Sequence, residues 1–281
     1  MSLTSYTRDG LVFDVTDSAV ATPTDGEHTD PVVLLHGFPA DRHCWDEVGA
    51  HLQAAGLRTL APDQRGYSPG ARPTDPYPQA YAVDELVLDV LALADAAGTE
   101  RFHLVGHDWG GAVAWAVAGA YPDRVASLTV LSTPHPAALT PKRRDSWQTW
   151  HSMYVLAFQP PWVPELVMRH QLAPWLIRSG LPRPVADRYA ARMREPGALT
   201  AALGWYRALR LGGGTAHRVP VPTTLVWGRH DDFLGRTAAE LTREFTTGVY
   251  ELVELDQGHW LPEVDAAECA EHIRRRIESV A

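Results

Sequence analysis

In this chain of 281 residues the side chain in the most distinctive setting is Asp108, within Leu104-Val105-Gly106-His107-Asp108-Trp109-Gly110-Gly111. An apolar run precedes it and an alanine-rich run follows, so it stands where a strand turns into a helix. Glycines two residues before and two residues after let backbone pass where any side chain would collide. The start of the helix aims free N–H groups at residue 108, which favours negative charge there. A serine at such a turn needs a base to become nucleophilic, whereas an aspartate is already ionised at neutral pH. A carboxylate is ill suited to splitting esters or amides, because its acyl adduct would be an anhydride. It can displace a leaving group at saturated carbon, leaving an alkyl ester that water then hydrolyses at the carbonyl. The residue type therefore argues against ordinary esterase or lipase chemistry. The same glycine spacing occurs in tight strand–helix packing and in dinucleotide loops, but here the Gly-x-Gly-x-x-Gly form is missing and the segment sits far into the chain.

Hydrolysing an ester needs a base, and a histidine base needs a group to orient it. Asp256-Gln257-Gly258-His259-Trp260 supplies the histidine, in the loop after an apolar run. Val226-Trp227-Gly228-Arg229-His230-Asp231 supplies an acid just past a strand end, with Asp232 as the alternative one residue on. His259 is expected to deprotonate the water, and Asp231 to hold its tautomer and stabilise the imidazolium. His36-Gly37-Phe38-Pro39 follows an early apolar run, and the N–H groups of Phe38 and Trp109 are the expected oxyanion donors.

These residues need a scaffold, and the chain alternates strand-like and helix-like segments in a βαβ rhythm. Pro31 to Leu35, Leu57 to Ala61, Phe102 to Val105 and Arg124 to Leu131 read as strands, with helical patterns over Arg42 to Ala55, Tyr81 to Ala97 and Gly110 to Ala120. After Ser132 the rhythm stops. From Pro134 to about Ala216 the sequence is dense in proline, tryptophan and arginine, with helical patterns between the prolines. Gly212-Gly213-Gly214 reads as a flexible exit, and no Lys-Ser/Thr follows to make it a phosphate loop. Strand patterns resume at Thr223 to Trp227 and Val249 to Glu254, and a helix over Glu263 to Ser279 closes the chain. A nucleophile in a strand–turn–helix, followed in order by acid and histidine, marks the α/β-hydrolase fold. The expected architecture is a mostly parallel central sheet flanked by helices. The core comprises 1–133 and 217–281, and a helical cap, 134–216, is inserted after the sixth strand. The other acid position used in this fold, after that strand, holds Ser132-Thr133-Pro134 and offers no carboxylate.

Composition narrows the partners. Twenty-five Lys and Arg against 34 Asp and Glu give a net charge of −9, which argues against nucleic acid and anionic membranes. A hydrophobic share of 45% and a charged share of 21% are those of a globular chain. Cys44 and Cys269 are the only cysteines and read as passive thiols in a reducing compartment. Met1 to Asp17 lacks the pattern of a signal peptide, and no apolar run is long enough to span a membrane, so a cytoplasmic location is expected. The histidines show no His-Glu-x-x-His spacing, so no metal is assigned, and no cofactor is called for.

From about Pro31 to Ile277 the chain resembles the epoxide hydrolases of the α/β-hydrolase fold. His36-Gly37-Phe38-Pro39 is similar to the family's His-Gly-x-Pro motif, and Gly106-His107-Asp108-Trp109-Gly110-Gly111 matches its nucleophile turn. In that family two lid tyrosines hydrogen-bond the epoxide oxygen. Gly204-Trp205-Tyr206-Arg207 resembles the segment carrying the second of them, and Tyr154, before Phe158-Gln159 and a proline pair, resembles the first. Opening an epoxide generates a strongly basic alkoxide, and two phenols can stabilise and protonate it. The resemblance implies an epoxide opened to a vicinal diol through a covalent ester on Asp108, with His36, Phe38, Trp109, Tyr154 and Tyr206 around the substrate. It implies no partner beyond a small epoxide and water, and it is compatible with a homodimer. Haloalkane dehalogenases share the aspartate nucleophile, and a haloalkane or haloacid dehalogenase is the nearest rival. They usually carry Gln before the nucleophile and Asn in the oxyanion loop, where this chain has His107 and Phe38. A non-catalytic binder of this fold would have no need of a water-activating His–Asp pair. Arg65-Gly66-Tyr67-Ser68-Pro69-Gly70 departs from the family's Gly-x-Ser ending of that loop, which bears on the pocket mouth. The tryptophans Trp147, Trp150, Trp162 and Trp175 read as packing or pocket wall.

Overall fold

The chain begins with a hairpin that apolar runs alone do not announce. A computed structural model describes residues 2–18, 30–74, 78–139, 153–211 and 217–280. Strands β1 (Ser5–Arg8) and β2 (Leu11–Ser18) are joined by Asp9-Gly10, both in the left-handed region at φ 51° and 78°. Asp-Gly is the dipeptide that a two-residue hairpin turn favours. Only one face of this edge hairpin is buried, so Tyr6, Phe13 and Val15 point inward between exposed neighbours.

The remaining strands, the last apart, are buried on both faces, as parallel strands between helical layers must be. They are β3 (Val32–Leu35), β4 (Thr59–Pro62), β5 (Phe102–His107), β6 (Val125–Leu131), β7 (Thr223–Gly228) and the half-covered edge β8 (Tyr250–Leu255). Together the eight strands form one sheet in the order β1-β2-β4-β3-β5-β6-β7-β8, parallel except for the β1–β2 and β2–β4 pairs. Helices α1 (Asp46–Ala54), α2 (Val83–Ala96) and α3 (Trp109–Ala120) pack on it, and the two faces bury one continuous apolar core. After β3 the chain moves to one side of the sheet, to β4, and then crosses to β5 on the other side. In open parallel sheets ligands bind beyond the carboxyl ends of the strands where the order reverses in this way. Here that point lies between the loop after β3 and the turn after β5, where Phe38 and Asp108 sit.

Between β6 and β7 lie α4 (Met153–Ala157), α5 (Val163–Arg178), α6 (Arg183–Met193) and α7 (Ala198–Ala208). Pro134 to Leu139 still belongs to the core, because the His135 ring stacks on Phe245 at 4.8 Å and its N–H donates to Thr242 Oγ1. Residues Trp147, Trp150 and Gly212 to Gly214 lie outside the described residues. Directional polar contacts tie the helical layer down. Trp205 Nε1 donates to the Arg65 carbonyl at 2.9 Å, and Arg192 reaches Asp63 at 2.6 Å and Asp41 at 3.3 Å. The Tyr189 hydroxyl donates to Glu263 at 2.8 Å, and Trp260 Nε1 to Ser179 Oγ at 3.0 Å. The unusual Arg65 to Gly70 segment is a support for this layer. The Arg65 guanidinium is buried and grips both Asp89 oxygens at 2.7 Å. Gly66, at φ 89°, lies tight against Tyr81 and Ala201 of α7.

Past β7 come α8 (Arg236–Leu241), α9 (Leu261–Val264) and α10 (Ala266–Glu278). The closing helix is therefore in two pieces, broken at Asp265, whose backbone at φ −147° and ψ 53° is not helical and whose carboxylate accepts from Gln257.

Candidate active site

Asp108 stands at the break between β5 and α3 with φ 51° and ψ −121°, a backbone state that costs a side-chain-bearing residue about 1–3 kcal/mol. Its neighbours make that state attainable. A Cβ on Gly106 would overlap the Gly110 carbonyl, and one on Gly37 would overlap the Asp108 side chain itself. The carboxylate is thus pressed against the loop after β3, where Phe38 N–H donates to Asp108 Oδ1 at 2.7 Å. The second oxygen, Oδ2, lies 3.5 Å from His259 Nε2. His259 Nδ1 is in turn 2.8 Å from Asp231 Oδ2, and Asp231 Oδ1 accepts from the N–H groups of Phe233 and Leu234 at 2.7 and 3.0 Å. Asp231 and His259 are buried, whereas the neighbouring Asp232 is exposed. The two acids differ in direction: Asp231 turns inward to the imidazole, and Asp232 is exposed.

Charge in this cluster is mutually sustaining. Burial pushes the Asp108 carboxyl up, but the hydrogen bond to His259, the His259 charge and the Phe38 N–H outweigh it, so its pKa is lowered from 3.8. Burial pulls His259 down, yet Asp231 and Asp108 overcome that and raise it above 6.5. The resting site is an imidazolium between two carboxylates. His107, preceding the nucleophile, is driven down to about 3 by burial and by His259, and it stays neutral.

Backbone carbonyls are held as firmly as the side chains. His107 Nε2 and Ser132 Oγ both lie within hydrogen-bond reach of the His259 carbonyl, at 2.9 and 2.7 Å, and Thr133 Oγ1 donates to the Asp108 carbonyl at 3.0 Å. The Ser132-Thr133 pair, which occupies the alternative acid position, anchors both ends of the site instead of supplying charge. Apolar-run reasoning gives no sign of this, since neither residue type is diagnostic alone. His36, expected at the substrate, is fully buried. Its Nδ1 faces the Gly37 carbonyl, its Nε2 accepts from Gln64 N–H, and its ring meets Tyr67 edge-on at 4.5 Å. It braces the oxyanion loop and does not face the space above Asp108.

That space is roofed by rings. Tyr206 of α7 is buried edge-on against Trp109 (5.1 Å), Phe38 (5.4 Å) and Phe158 (5.0 Å). Burial, with the proximity of Tyr154 and Asp108, raises its pKa well above 10, while a hydrogen bond from the Trp109 side chain works the other way. Tyr154 of α4 is half-buried, 6.0 Å from Tyr206 between ring centroids, and meets Phe158, Trp175 and Phe233 as well. The structure therefore brings together Asp108, His259, Asp231, Phe38, Trp109, Tyr206 and Tyr154, and leaves His36 behind the loop. Of the tryptophans read as packing, Trp175 lines this roof, whereas Trp162 is exposed. Phe158 and Phe233 complete the wall. Phe233 packs on His259 at 4.8 Å, and its position two residues beyond Asp231 is the only signal the sequence carries for it.

Residues 30–266 match the model of the α/β-hydrolase fold family. A Bacillus subtilis α/β-hydrolase superfamily protein, YfhM, is 35% identical over 243 residues, spanning 82% of this chain and 84% of the relative. Human epoxide hydrolase 4 is 33% identical over 256 residues, spanning 84% of this chain and 69% of the relative. Epoxide hydrolase A of Mycobacterium tuberculosis is 32% identical over 285 residues, spanning 84% and 87%. Among solved structures, epoxide hydrolase A from Mycobacterium thermoresistibile superposes with a TM-score of 0.80 at 26% identity, covering 99% of this chain and 98% of that one. The chain belongs to the epoxide hydrolase family of the α/β-hydrolase fold.

The epoxide hydrolase fold supplies the sharp turn, the loop after β3 and the two late loops, and the inserted helices bring the phenols. Among the described residues no helix is long and apolar enough to cross a membrane.

Proposed function

We propose that this epoxide hydrolase opens a small epoxide to a vicinal diol through a covalent hydroxyalkyl ester on Asp108. Asp108 Oδ1 already accepts from Phe38 N–H, so Oδ2 is the attacking oxygen. It forms a bond to one epoxide carbon as the carbon–oxygen bond of the ring breaks. The leaving oxygen takes a proton from Tyr206, whose phenol burial keeps neutral before the step, or from Tyr154 beside it. Forming the ester removes the Asp108 charge, which is one of the two that keep His259 protonated. His259 then gives up its proton, which passes through solvent to the tyrosinate and restores the phenol, and the imidazole becomes a base. It deprotonates a water that attacks the ester carbonyl, while Asp231 stabilises the returning imidazolium. The tetrahedral oxyanion forms at Oδ1, where Phe38 N–H already points, and the free N–H at the start of α3, Trp109, is its second donor. Collapse expels the diol and restores Asp108, with one oxygen exchanged for that of water.

One observation carries this reading: a nucleophilic carboxylate shares a closed site with a His–Asp pair on one side and two phenols on the other. A halide leaves as a weak base and asks only for N–H dipoles. The Trp109 indole that would offer one meets the Tyr206 ring edge-on at 5.1 Å. The test is a panel of epoxides and haloalkanes assayed for diol and for halide, run in isotopically labelled water. Diol without halide, with label entering Asp108 over repeated turnovers, is the expected result. Halide release with no diol sinks the epoxide reading, and label confined to the diol sinks the ester.

A further inference from the structure

The net charge of −9 hides two regions of opposite sign. Residues 153–211 of the inserted helices carry eight arginines against three acids, a net of +5, so the remainder of the chain carries −14. Several of these arginines are committed, Arg192 to Asp63 and Arg207 to Glu165. Arg169, Arg178, Arg183 and Arg194 are exposed and have no carboxylate partner among the described residues.

The same layer displays apolar side chains where soluble helices carry polar ones. Trp162 is 81% exposed, Leu166 70%, Leu156 62% and Val163 61%. At 3.6 residues per turn, Val163, Leu166, Val167 and His170 fall on one outward strip of α5. Arg169 borders one edge of that strip, Arg178 lies about two turns further along towards its other edge, and all six are exposed. Trp162 precedes the helix with φ 66°, an unfavourable backbone state for a residue with a side chain, and is left 81% exposed. Isolated exposed apolar residues need no explanation, but a contiguous strip with a tryptophan at its tip and arginines at its borders does. Tryptophan and aliphatic residues on one face with cations beside them are what binds the boundary of a lipid layer.

We infer that the outer face of α5 docks this protein onto an anionic lipid surface. The apolar strip enters the boundary between headgroups and chains, and the bordering arginines meet the headgroup charges. The anionic sheet side points away, so the opposite charges of the two regions orient the molecule. The far end of α5 carries Trp175, which lines the roof of the site against Tyr154 and Phe233. Thirteen residues separate it from Trp162, about 20 Å along a helix. Docking itself does not depend on which reaction the site performs.

The experiment is sedimentation of the full-length protein with phosphatidylglycerol vesicles and with phosphatidylcholine vesicles at low ionic strength. The protein is expected to pellet with the anionic vesicles and to be released by salt. Trp162→Asp and Leu166→Asp are each expected to weaken partitioning at least about tenfold. Arg169→Gln and Arg178→Gln are each expected to weaken it about fivefold. Turnover of a water-soluble substrate stays unchanged in all four variants, which shows that they remain folded. Wild-type protein left in the supernatant overturns the inference, as does binding that the four substitutions do not alter. A dimer in vesicle-free solution that Leu166→Asp dissociates also overturns it, because the strip then belongs to a second copy of the chain.

Discussion

The two sides of the site are positioned by different physics. Below, Asp108, His259 and Asp231 are held by backbone geometry and short charge-assisted hydrogen bonds: a left-handed turn, a Phe38 N–H at 2.7 Å, and an Asp231 fixed from behind by two N–H groups. Above, Tyr206 and Tyr154 are held mainly by ring edges at 5 to 6 Å, with Gln159 Nε2 on the Tyr206 carbonyl as a polar tether. Hydrogen bonds fix direction to a few tenths of an ångström, whereas ring packing fixes volume and tolerates small slides. Bond formation at Asp108 and proton transfer at His259 require precise lines of approach. A phenol that follows a leaving oxygen can serve substrates of several shapes. The difference between the sides predicts that the nucleophile and base depend on exact placement by the sheet loops, whereas the proton donors on the inserted helices tolerate small shifts.

The sharpest way to break this division is to remove groups from the sheet side. His259→Gln keeps the nucleophile and its donor but removes the base, so alkylation continues and the ester persists. Intact-mass measurement should show protein plus one substrate, with turnover abolished, and a substrate that wild type converts must fail to leave such an adduct for the assignment to collapse. Asp231→Asn leaves the imidazole without the partner that fixes its tautomer, and ester hydrolysis should slow by about 10⁴-fold. Asp232→Asn, at an exposed carboxylate, should leave both steps near the wild-type rate. The reverse ranking, read by rapid-quench kinetics, makes Asp232 the functional acid.

Removing one group from the cap side should cost less. Tyr206→Phe keeps the ring against Trp109, Phe38 and Phe158 and deletes one donor to the opening epoxide. Loss of a donor used only in the transition state costs about 3 kcal/mol, roughly a hundredfold, and it should appear in alkylation alone. Tyr154→Phe should act in the same step, and the double variant should be nearly inactive. Alkylation at the parent rate in Tyr206→Phe reduces the tyrosine to packing.

The two steps should also part company with pH. Asp108 has its pKa lowered below 3.8, so it remains ionised, and alkylation does not lose its nucleophile until the medium is more acid than that. His259 is raised above 6.5 by two carboxylates, and esterification of Asp108 removes one of them. Hydrolysis needs the neutral imidazole, so its rate should rise with pH, about tenfold per unit, through a pKa lower than that of the free enzyme. Stopped-flow alkylation and quenched hydrolysis, measured from acid to neutral pH, should give a flat profile and a rising one. Two profiles with a common limb contradict the proposed exchange of charge.

The same contrast explains what could be read from the sequence. Asp108 is legible because strand, turn and helix lie within a few residues and the flanking glycines are a local requirement. His259 is legible through its order in the chain. Asp231 and Asp232 differ by one position in a loop, and only the direction of the side chain separates them. His36 sits beside the legible Gly37-Phe38, but which way a histidine ring turns depends on Gln64 and Tyr67, far along the chain. The Asp9-Gly10 turn was a local signal, and its strands escape an apolar-run reading because they bury one face. The roof is the least legible part. Tyr154, Phe158, Trp175 and Phe233 converge from three separate segments, and ring packing leaves no spacing rule behind.

Phe233 tests how far the two sides are independent, because its ring touches both. It meets His259 at 4.8 Å and, from above, Trp175 at 5.4 Å and Tyr154 at 5.9 Å. Phe233→Leu retains most of the apolar volume and leaves the residue's N–H free to bind Asp231 as before. What is lost is ring-edge contact, worth about 1 kcal/mol per pair, or roughly fivefold in rate where it matters. If hydrogen bonds alone set the sheet side, ester hydrolysis should fall by no more than that factor. Alkylation should fall similarly, through looser placement of Tyr154, and the preference among epoxides of different bulk should shift. These are the smallest effects expected, and single-turnover rates for the two steps resolve them. A loss in hydrolysis approaching that of Asp231→Asn means that the imidazole is aimed by the roof as well as by its carboxylate, and the two sides are then one mechanical unit.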